Sequence, residues 1–289
     1  MKSNTILYGL LSLFILVSLS SCRKSYSAGD WDILPEKETP NPVDSGSNAP
    51  TKTLKVMSVN MRLSTIPDFA TMITYIKEYN PDLLFLRQID SATTRVEKVN
   101  RPQVMADSLG MEVFFKKNFD YQTGGFGNAV LSKFPIKEKV AQILRREDGN
   151  TAELRSAVMI RVEVEKGHDV YFAGTELDPS VVNNRNLQVV DLLNMTEKIT
   201  EPVILVGNFN EQESANGQVL SYLKGAFTFA CLGAGCPMNS PKASPTGIYD
   251  YITFKGAGGK LALSNYLAFP KSANTFLPMT ASFKLKIEQ

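Results

Sequence analysis

Histidine is nearly absent from this chain: among its 289 residues only His168 carries an imidazole. An enzyme that moves protons with a histidine would therefore have to use this one. His168 lies in residues 166–169, a turn between two expected strands. A histidine in a turn is most often a solvated surface group, and we expect no catalytic role for it.

A large excess of one charge is also lacking. Lysine and arginine total 31, aspartate and glutamate total 29, and the formal net charge is +2. Nothing in the overall charge favours nucleic acid or a strongly acidic surface as the partner. The chain also shows no internal repeat.

Long hydrophobic runs are lacking except at the N-terminus, where residues 6–19 are almost all apolar and follow Lys2. The run is short for a membrane span and has the layout of a secretory signal. It ends in Leu19-Ser20-Ser21-Cys22. An uncleaved anchor or an ordinary signal peptide remains the alternative.

The Leu-Ser-Ser-Cys ending resembles the lipobox of bacterial lipoproteins. The resemblance implies removal of residues 1–21 and attachment of lipid to Cys22, which would hold the protein at a membrane. Arg23 and Lys24 follow, not the Asp of an inner-membrane retention signal. We therefore expect an outer-membrane lipoprotein that faces the periplasm or the exterior.

After Cys22, the chain up to residue 52 is rich in Ser, Pro, Asp, Asn and Gly. This composition is typical of a flexible tether. We expect a lipidated tether over residues 22–52 and one folded domain over residues 53–289.

Cysteine is scarce, and only Cys231 and Cys236 remain in the expected domain. In an oxidising compartment we expect a disulfide between them, and two free buried thiols are the alternative. We do not expect zinc, because it needs two more ligands and His168 is far away in sequence.

Many short alternating or fully apolar segments predict strands, and three longer segments with helical spacing predict helices. Strands are expected at residues 54–60, 83–86, 112–116, 127–132, 136–144, 157–164, 170–173, 203–206, 248–254, 261–263 and 281–287, and helices at 66–76, 102–109 and 181–199. This pattern predicts an α+β fold in which two mostly antiparallel sheets pack face to face under outer helices.

The segment Pro202-Val203-Ile204-Leu205-Val206-Gly207-Asn208-Phe209-Asn210 organises the chain. Its apolar run predicts a strand buried on both faces. Two carboxamides, Asn208 and Asn210, follow Gly207 at the end of this strand. Catalytic and binding residues commonly lie at the ends of strands and in the loops that follow them.

The ordered strand-end motifs resemble the endonuclease/exonuclease/phosphatase superfamily, with its four-layer α/β/β/α sandwich, from about residue 52 to the C-terminus. The motifs are Leu54-Lys55-Val56-Met57-Ser58-Val59-Asn60, Pro81-Asp82-Leu83-Leu84-Phe85-Leu86, Gly127-Asn128-Ala129-Val130-Leu131-Ser132, Arg185 with Gln188, Gly207-Asn208-Phe209-Asn210 and Ile248-Tyr249-Asp250-Tyr251-Ile252.

The resemblance implies hydrolysis of phosphoesters, with a Glu that holds a divalent metal, an Asp that orients water and a His–Asp pair that moves protons. This chain departs from that set. Gln88 replaces the Glu that holds the metal, and Glu176 replaces the first His. Asn208 replaces the Asp that orients water. At the end of the chain, Thr275 and Phe276 replace the closing Asp and His. The retained family positions are Asn60, Asn128, Asn210 and Asp250.

Two functions follow as hypotheses. The first is a catalytically inactive, lipid-anchored protein that binds an unknown ligand through the cleft and needs no cofactor. The second is a phosphoesterase in which Glu176 and Asp250 hold Mg²⁺ or Ca²⁺, with Asp178 on the same face if the strand continues that far. No histidine follows His168, so no shift of the alignment restores the closing histidine.

Overall fold

The computed structural model describes residues 49–62, 66–213 and 217–287. The expected signal peptide, Cys22 and nearly all of the tether lie outside the described residues. The first strand begins at Thr51, two residues before the expected start of the domain at residue 53.

The described chain contains twelve strands, four α-helices and one 3₁₀ turn at Thr94–Val96. The elements are β1 Thr51–Asn60, α1 Ile66–Tyr79, β2 Leu83–Ser91, α2 Arg101–Leu109, β3 Glu112–Tyr121, β4 Gly124–Ser132, β5 Ile136–Ile143, β6 Ser156–Glu165, β7 His168–Glu176, α3 Val182–Thr196, β8 Val203–Asn208, α4 Gln218–Ala226, β9 Thr228–Phe229, β10 Asp250–Lys255, β11 Leu261–Ala268 and β12 Met279–Lys286.

The strands form two sheets of six. The first has the order β11-β12-β1-β2-β4-β3 and the second the order β5-β6-β7-β8-β10-β9. The neighbours β1 and β2 are parallel, as are β7 and β8, and the remaining pairs are antiparallel. The predicted fold class is confirmed.

Three apolar layers hold the sandwich together. The central layer joins the inner faces of both sheets and includes Phe85 and Phe172. A second layer packs α1 and α2 on the first sheet, where Leu84 faces outward. A third packs α3 and α4 on the second sheet, where Leu205 faces outward. Because side chains alternate along a strand, neighbours such as Leu84 and Phe85 serve different layers.

Gly174 lets the two sheets approach closely. A Cβ atom at this position would lie 2.1 Å from the Phe85 ring of the opposite sheet. The ring therefore fills the space that a side chain would need. This contact lies beside the strand ends that carry the site.

Several boundaries differ from the sequence prediction. The helix expected over 181–199 is shorter, since α3 spans Val182–Thr196. The strand expected from residue 248 begins at Asp250. Helix α4 and the two-residue strand β9 were not predicted. In the described part of the chain no helix has the length and apolar character that would take it across a bilayer.

Candidate functional site

The ends of β1, β7 and β8, the start of β10 and the middle of β2 meet at one edge of the sandwich. The parallel strands β1 and β2 pair Asn60 with Arg87, and the parallel strands β7 and β8 pair Glu176 with Asn208. Strand β10 runs the other way and places Asp250 opposite Asn208. Four positions named from the sequence, Asn60, Glu176, Asn208 and Asp250, therefore lie in these strands at the same edge.

The centre of this place is the Arg87 guanidinium, which lies between two carboxylates. Arg87 Nε donates to Asp250 Oδ1 at 2.8 Å, and Nη2 donates to Oδ2 at 3.0 Å. Nη1 donates to Glu176 Oε1 at 3.0 Å. Arg87 belongs to the first sheet and both acids to the second, so this charge group joins the two sheets.

Other side chains also donate hydrogen bonds to the carboxylates of Glu176 and Asp250. Glu176 Oε1 also accepts from Gln88 Nε2 at 2.8 Å, and Oε2 accepts from Arg155 Nη1 at 3.2 Å. Asp250 Oδ2 also accepts from Asn239 Nδ2 at 2.7 Å. Each carboxylate oxygen thus has at least one donor.

A β-bulge aims two consecutive side chains at Glu176. The register of β2 against β4 shifts between Leu86 and Ile89, and Gln88 has a positive φ of 58°. A bulge breaks the alternation of a strand and redirects side chains. For this reason Arg87 and Gln88 both reach the same carboxylate.

The Phe276 ring covers the guanidinium, with Arg87 Cζ 4.8 Å from the ring centroid. The backbone N–H of Phe276 donates to Asn274 Oδ1 at 2.8 Å. Asn274 Nδ2 in turn donates to the Asn60 carbonyl at 2.5 Å, which fixes the loop at the site. The neighbouring Thr275 is exposed and contributes its carbonyl to a bond with the Lys242 N–H.

The cluster is closed to solvent and balanced in charge. The exposed fractions are 1% for Arg87, 3% for Glu176, 4% for Asp250 and 5% for Arg155. Burial disfavours the charged form of Arg87, but Asp250 and Glu176 outweigh it and raise the pKa of the guanidinium. Arg87 therefore stays charged, and two cations face two anions.

Three asparagines of the family motifs, two retained and one a replacement, form hydrogen bonds with the backbone. Asn128 is fully buried and donates to the Ser156 carbonyl at 3.0 Å. Asn210 donates to the Leu177 carbonyl at 2.7 Å. Asn208 accepts from the Asn210 N–H at 2.8 Å, and the preceding Gly207 has a φ of 148°.

Asp178 does not share a face with Glu176, because β7 ends at Glu176. Its Oδ1 accepts from the backbone N–H groups of Ser180 and Val181, and Oδ2 accepts from Asn184 Nδ2 at 2.9 Å. Burial opposes its ionisation, yet these hydrogen bonds hold the pKa of Asp178 below its usual value. It stabilises the entry into α3.

The donor set does not fit a divalent metal. Glu176 and Asp250 converge, as the second hypothesis requires, but the Arg87 guanidinium lies between them. Gln88 offers an amide where the family has a carboxylate. Across residues 49–62, 66–213 and 217–287, no three His, Cys, Asp or Glu side chains come together as a metal-binding group.

Other predicted residues lie apart from the cluster. His168 begins β7 while Glu176 ends it, so about 25 Å of strand separates them. Its Nδ1 lies 3.0 Å from the Lys166 carbonyl. Cys231 and Cys236 form a disulfide in the loop after β9.

Three important residues were given no role in the sequence analysis: Arg87, Arg155 and Asn239. One feature of the sequence could have pointed to Arg87 as a site residue, because it directly precedes Gln88 at a predicted strand end. Arg155 and Asn239 lie in irregular segments, and only the folded chain shows what they contact.

The layers, the sheet order and the strand-end site define an endonuclease/exonuclease/phosphatase fold. The family model described as "PGAP2IP, C-terminal nuclease-like domain" matches residues 56–224, and the chain belongs to this family. No curated protein is significantly similar to the sequence.

Solved structures share this fold. An endonuclease/exonuclease/phosphatase family protein from Bacteroides thetaiotaomicron has a TM-score of 0.67 and 14% identity, over 82% of this chain and 100% of that one. A mannosyl-6-phosphatase from the same species has a TM-score of 0.63 and 14% identity, over 80% and 99%. The human Nocturnin catalytic domain has a TM-score of 0.62 and 17% identity, over 82% and 98%. Such identities establish the fold alone.

Proposed function

We propose that this chain is a lipid-anchored cell-envelope protein whose endonuclease/exonuclease/phosphatase-fold domain does not hydrolyse phosphate esters and acts in binding. The observation that carries the loss of catalysis is the placement of Arg87. Its guanidinium occupies the space between Glu176 and Asp250 and is held there by three hydrogen bonds of 2.8 to 3.0 Å.

Phosphoryl transfer depends on positive charge that is free to face the substrate. The charge of Arg87 is already neutralised, and the side chain is 1% exposed. Phe276 covers it on one side. A phosphate that entered would have to displace these groups and leave two carboxylates beside it.

Proton transfer lacks an agent as well. A carboxamide is too weakly basic to act as a general base, and Asn208 already accepts the Asn210 N–H. Glu176 stands where the family has a histidine, and its carboxylate accepts three hydrogen bonds, two of them from the arginines Arg87 and Arg155. The loss of several such groups leaves little turnover, although their effects do not multiply.

The anchoring part of the proposal rests on the signal-like N-terminus and Cys22. Its test is labelling of the expressed chain with a radioactive fatty acid, followed by fractionation of the cell envelope. Label in the outer-membrane fraction supports the proposal, and the Cys22→Ser variant should lose the label. Unlabelled chain, or equal labelling of Cys22→Ser, would sink it.

The catalytic part is tested with the full chain in detergent, with p-nitrophenyl phosphate and bis(p-nitrophenyl) phosphate as substrates and with Mg²⁺, Mn²⁺ or Ca²⁺. The matched control is Glu176→Gln, which keeps the shape of the side chain and removes its charge. We expect both proteins to hydrolyse the substrates no faster than buffer alone. A metal-dependent rate that Glu176→Gln abolishes would establish the rearranged phosphoesterase instead.

A further inference from the structure

A separate cleft of about 910 Å³ lies on the outside of the second sheet. Its walls are the turn of residues 147–150 between β5 and β6, the first turns of α3, and the start of α4. None of its lining residues belongs to the Arg87 cluster. Cavities of roughly 300–1,000 Å³ are the usual size of small-molecule sites.

The turn is fixed to α3 by side-chain amides. The Glu147 N–H donates to Asn184 Oδ1 at 2.9 Å, and Asn183 Nδ2 donates to Glu147 Oε1 at 2.8 Å. Asn184 Nδ2 lies 3.3 Å from Asn150 Oδ1. The cleft is therefore already formed before any ligand binds, which lowers the entropic cost of binding.

The floor of the cleft holds a buried polar atom that lacks a partner. Asn186 is 6% exposed, and its Nδ2 donates to Gln218 Oε1 at 2.6 Å. Within the described part of the chain, Asn186 Oδ1 has no hydrogen-bond donor. Buried polar atoms are nearly always paired, and this acceptor on a lining residue of the cleft is an exception to that rule.

The charge of the lining selects the class of ligand. Glu147 and Asp148 are its only charged members, and no lysine, arginine or aromatic residue lines it among the described residues. Anionic ligands such as phosphates would be repelled, and a nucleobase would find no ring to stack on.

A cation is also a poor match. A hard divalent ion needs several carboxylates, but Glu147 already accepts from Asn183 and amides outnumber acids in the lining. Carboxamides both donate and accept, which matches vicinal hydroxyl groups, and Leu187 offers an apolar patch for the C–H face of a sugar ring. We infer that this cleft binds a neutral carbohydrate; the inference rests on the binding role proposed above.

The test is calorimetric titration of the full chain in a polyoxyethylene detergent, since sugar-based detergents would compete. The probes are maltohexaose, cellohexaose and mannohexaose, with a chitosan hexamer as the cationic comparison and hexagalacturonate as the anionic one. We expect at least one neutral hexasaccharide to bind at millimolar concentration or below, more tightly than both charged probes.

Three variants locate the binding. Asn186→Ala, Gln218→Ala and Asp148→Ala should each weaken it by about tenfold, the usual effect of one lost hydrogen bond to a ligand. Asn265 lies on β11 in the other sheet and, like Gln218, carries an exposed amide, so Asn265→Ala should leave the binding unchanged. Asp148 is exposed, so its variant decides the matter even if Asn186→Ala fails to fold.

The inference is overturned if none of the neutral probes binds, if only a charged probe binds, or if the cleft variants bind as well as the unaltered chain. Hydrolysis assays on the same samples separate this result from the proposed loss of catalysis. A protein that binds the sugar and also cleaves phosphate esters would refute the inactivity and leave the cleft assignment standing.

Discussion

Arg87 and Asp250 form a two-point contact between the two sheets, with Nε–Oδ1 at 2.8 Å and Nη2–Oδ2 at 3.0 Å. The planar guanidinium matches a carboxylate in this geometry, and a compact ammonium would not. Arg87 thus supplies the positive charge that holds the acids of the second sheet against the end of the first.

Arg87→Met should destabilise the domain strongly. It leaves Glu176 and Asp250 buried with fewer donors, and removal of one partner from a buried ion pair costs about 3–5 kcal/mol. Urea denaturation of both proteins measures the loss. Lys271→Met is the control, since the pair of Lys271 with Glu78 is 46% and 49% exposed and contributes at most about 1 kcal/mol. Equal effects of the two changes would contradict the assignment.

Divalent metal should restore part of the stability that Arg87→Met loses. Without the guanidinium, the carboxylates of Glu176 and Asp250 face each other and become oxygen ligands for Mg²⁺ or Mn²⁺. Binding to the folded state raises the melting temperature. We expect a metal-dependent rise in Arg87→Met, none in the unaltered chain, and none in Arg87→Met combined with Asp250→Asn. A rise in the unaltered chain would show that Arg87 does not exclude the metal.

Phe276→Leu should cost about 2 kcal/mol, because it keeps an apolar cover and removes the ring face from a desolvated cation. Phe134→Leu is the matched control, since its cation, Lys52, is 38% exposed and lies 5.5 Å from the ring centroid. Its loss should be smaller, about 0.5–1 kcal/mol beyond the change in packing. Thermal melting compares the two, and a larger loss at Phe134 would argue against the contact at Arg87.

Asp178→Asn should lower stability in a pH-dependent way. The pKa of Asp178 is held below its usual value, so its ionised form contributes stability above about pH 4, which is lost as the pH falls through the folded-state pKa. The variant should be weaker at neutral pH by about 1 kcal/mol, and the gap should close in acid. Urea midpoints over a pH series measure this, with the exposed Asp148→Asn as the control. A gap that widens in acid would contradict the sign.

Much of the fold could be predicted from the sequence, because apolar runs fix the strands whatever surrounds them. Strand β8 is the clearest case: Val203–Asn208 is buried at every position, as its composition indicated. The strand-end motifs also named Gln88, Glu176 and Asp250, and hydrogen bonds join the first to the second and both acids to Arg87.

The contacts within the site could not be predicted in this way. The bulge at Arg87 and Gln88 breaks the alternation from which side-chain directions are inferred. Asn239 reaches Asp250 from a segment without regular structure. Asp178 was expected on the face of Glu176 only if the strand continued to it, and β7 ends two residues earlier.

The most direct test is a crystal structure of the protein grown with Mn²⁺ and recorded at a wavelength where manganese scatters anomalously. We predict guanidinium density that bridges Glu176 and Asp250, with no anomalous peak between them. A manganese peak within about 2.0–2.6 Å of oxygens of both carboxylates, with Arg87 turned away, would contradict the account.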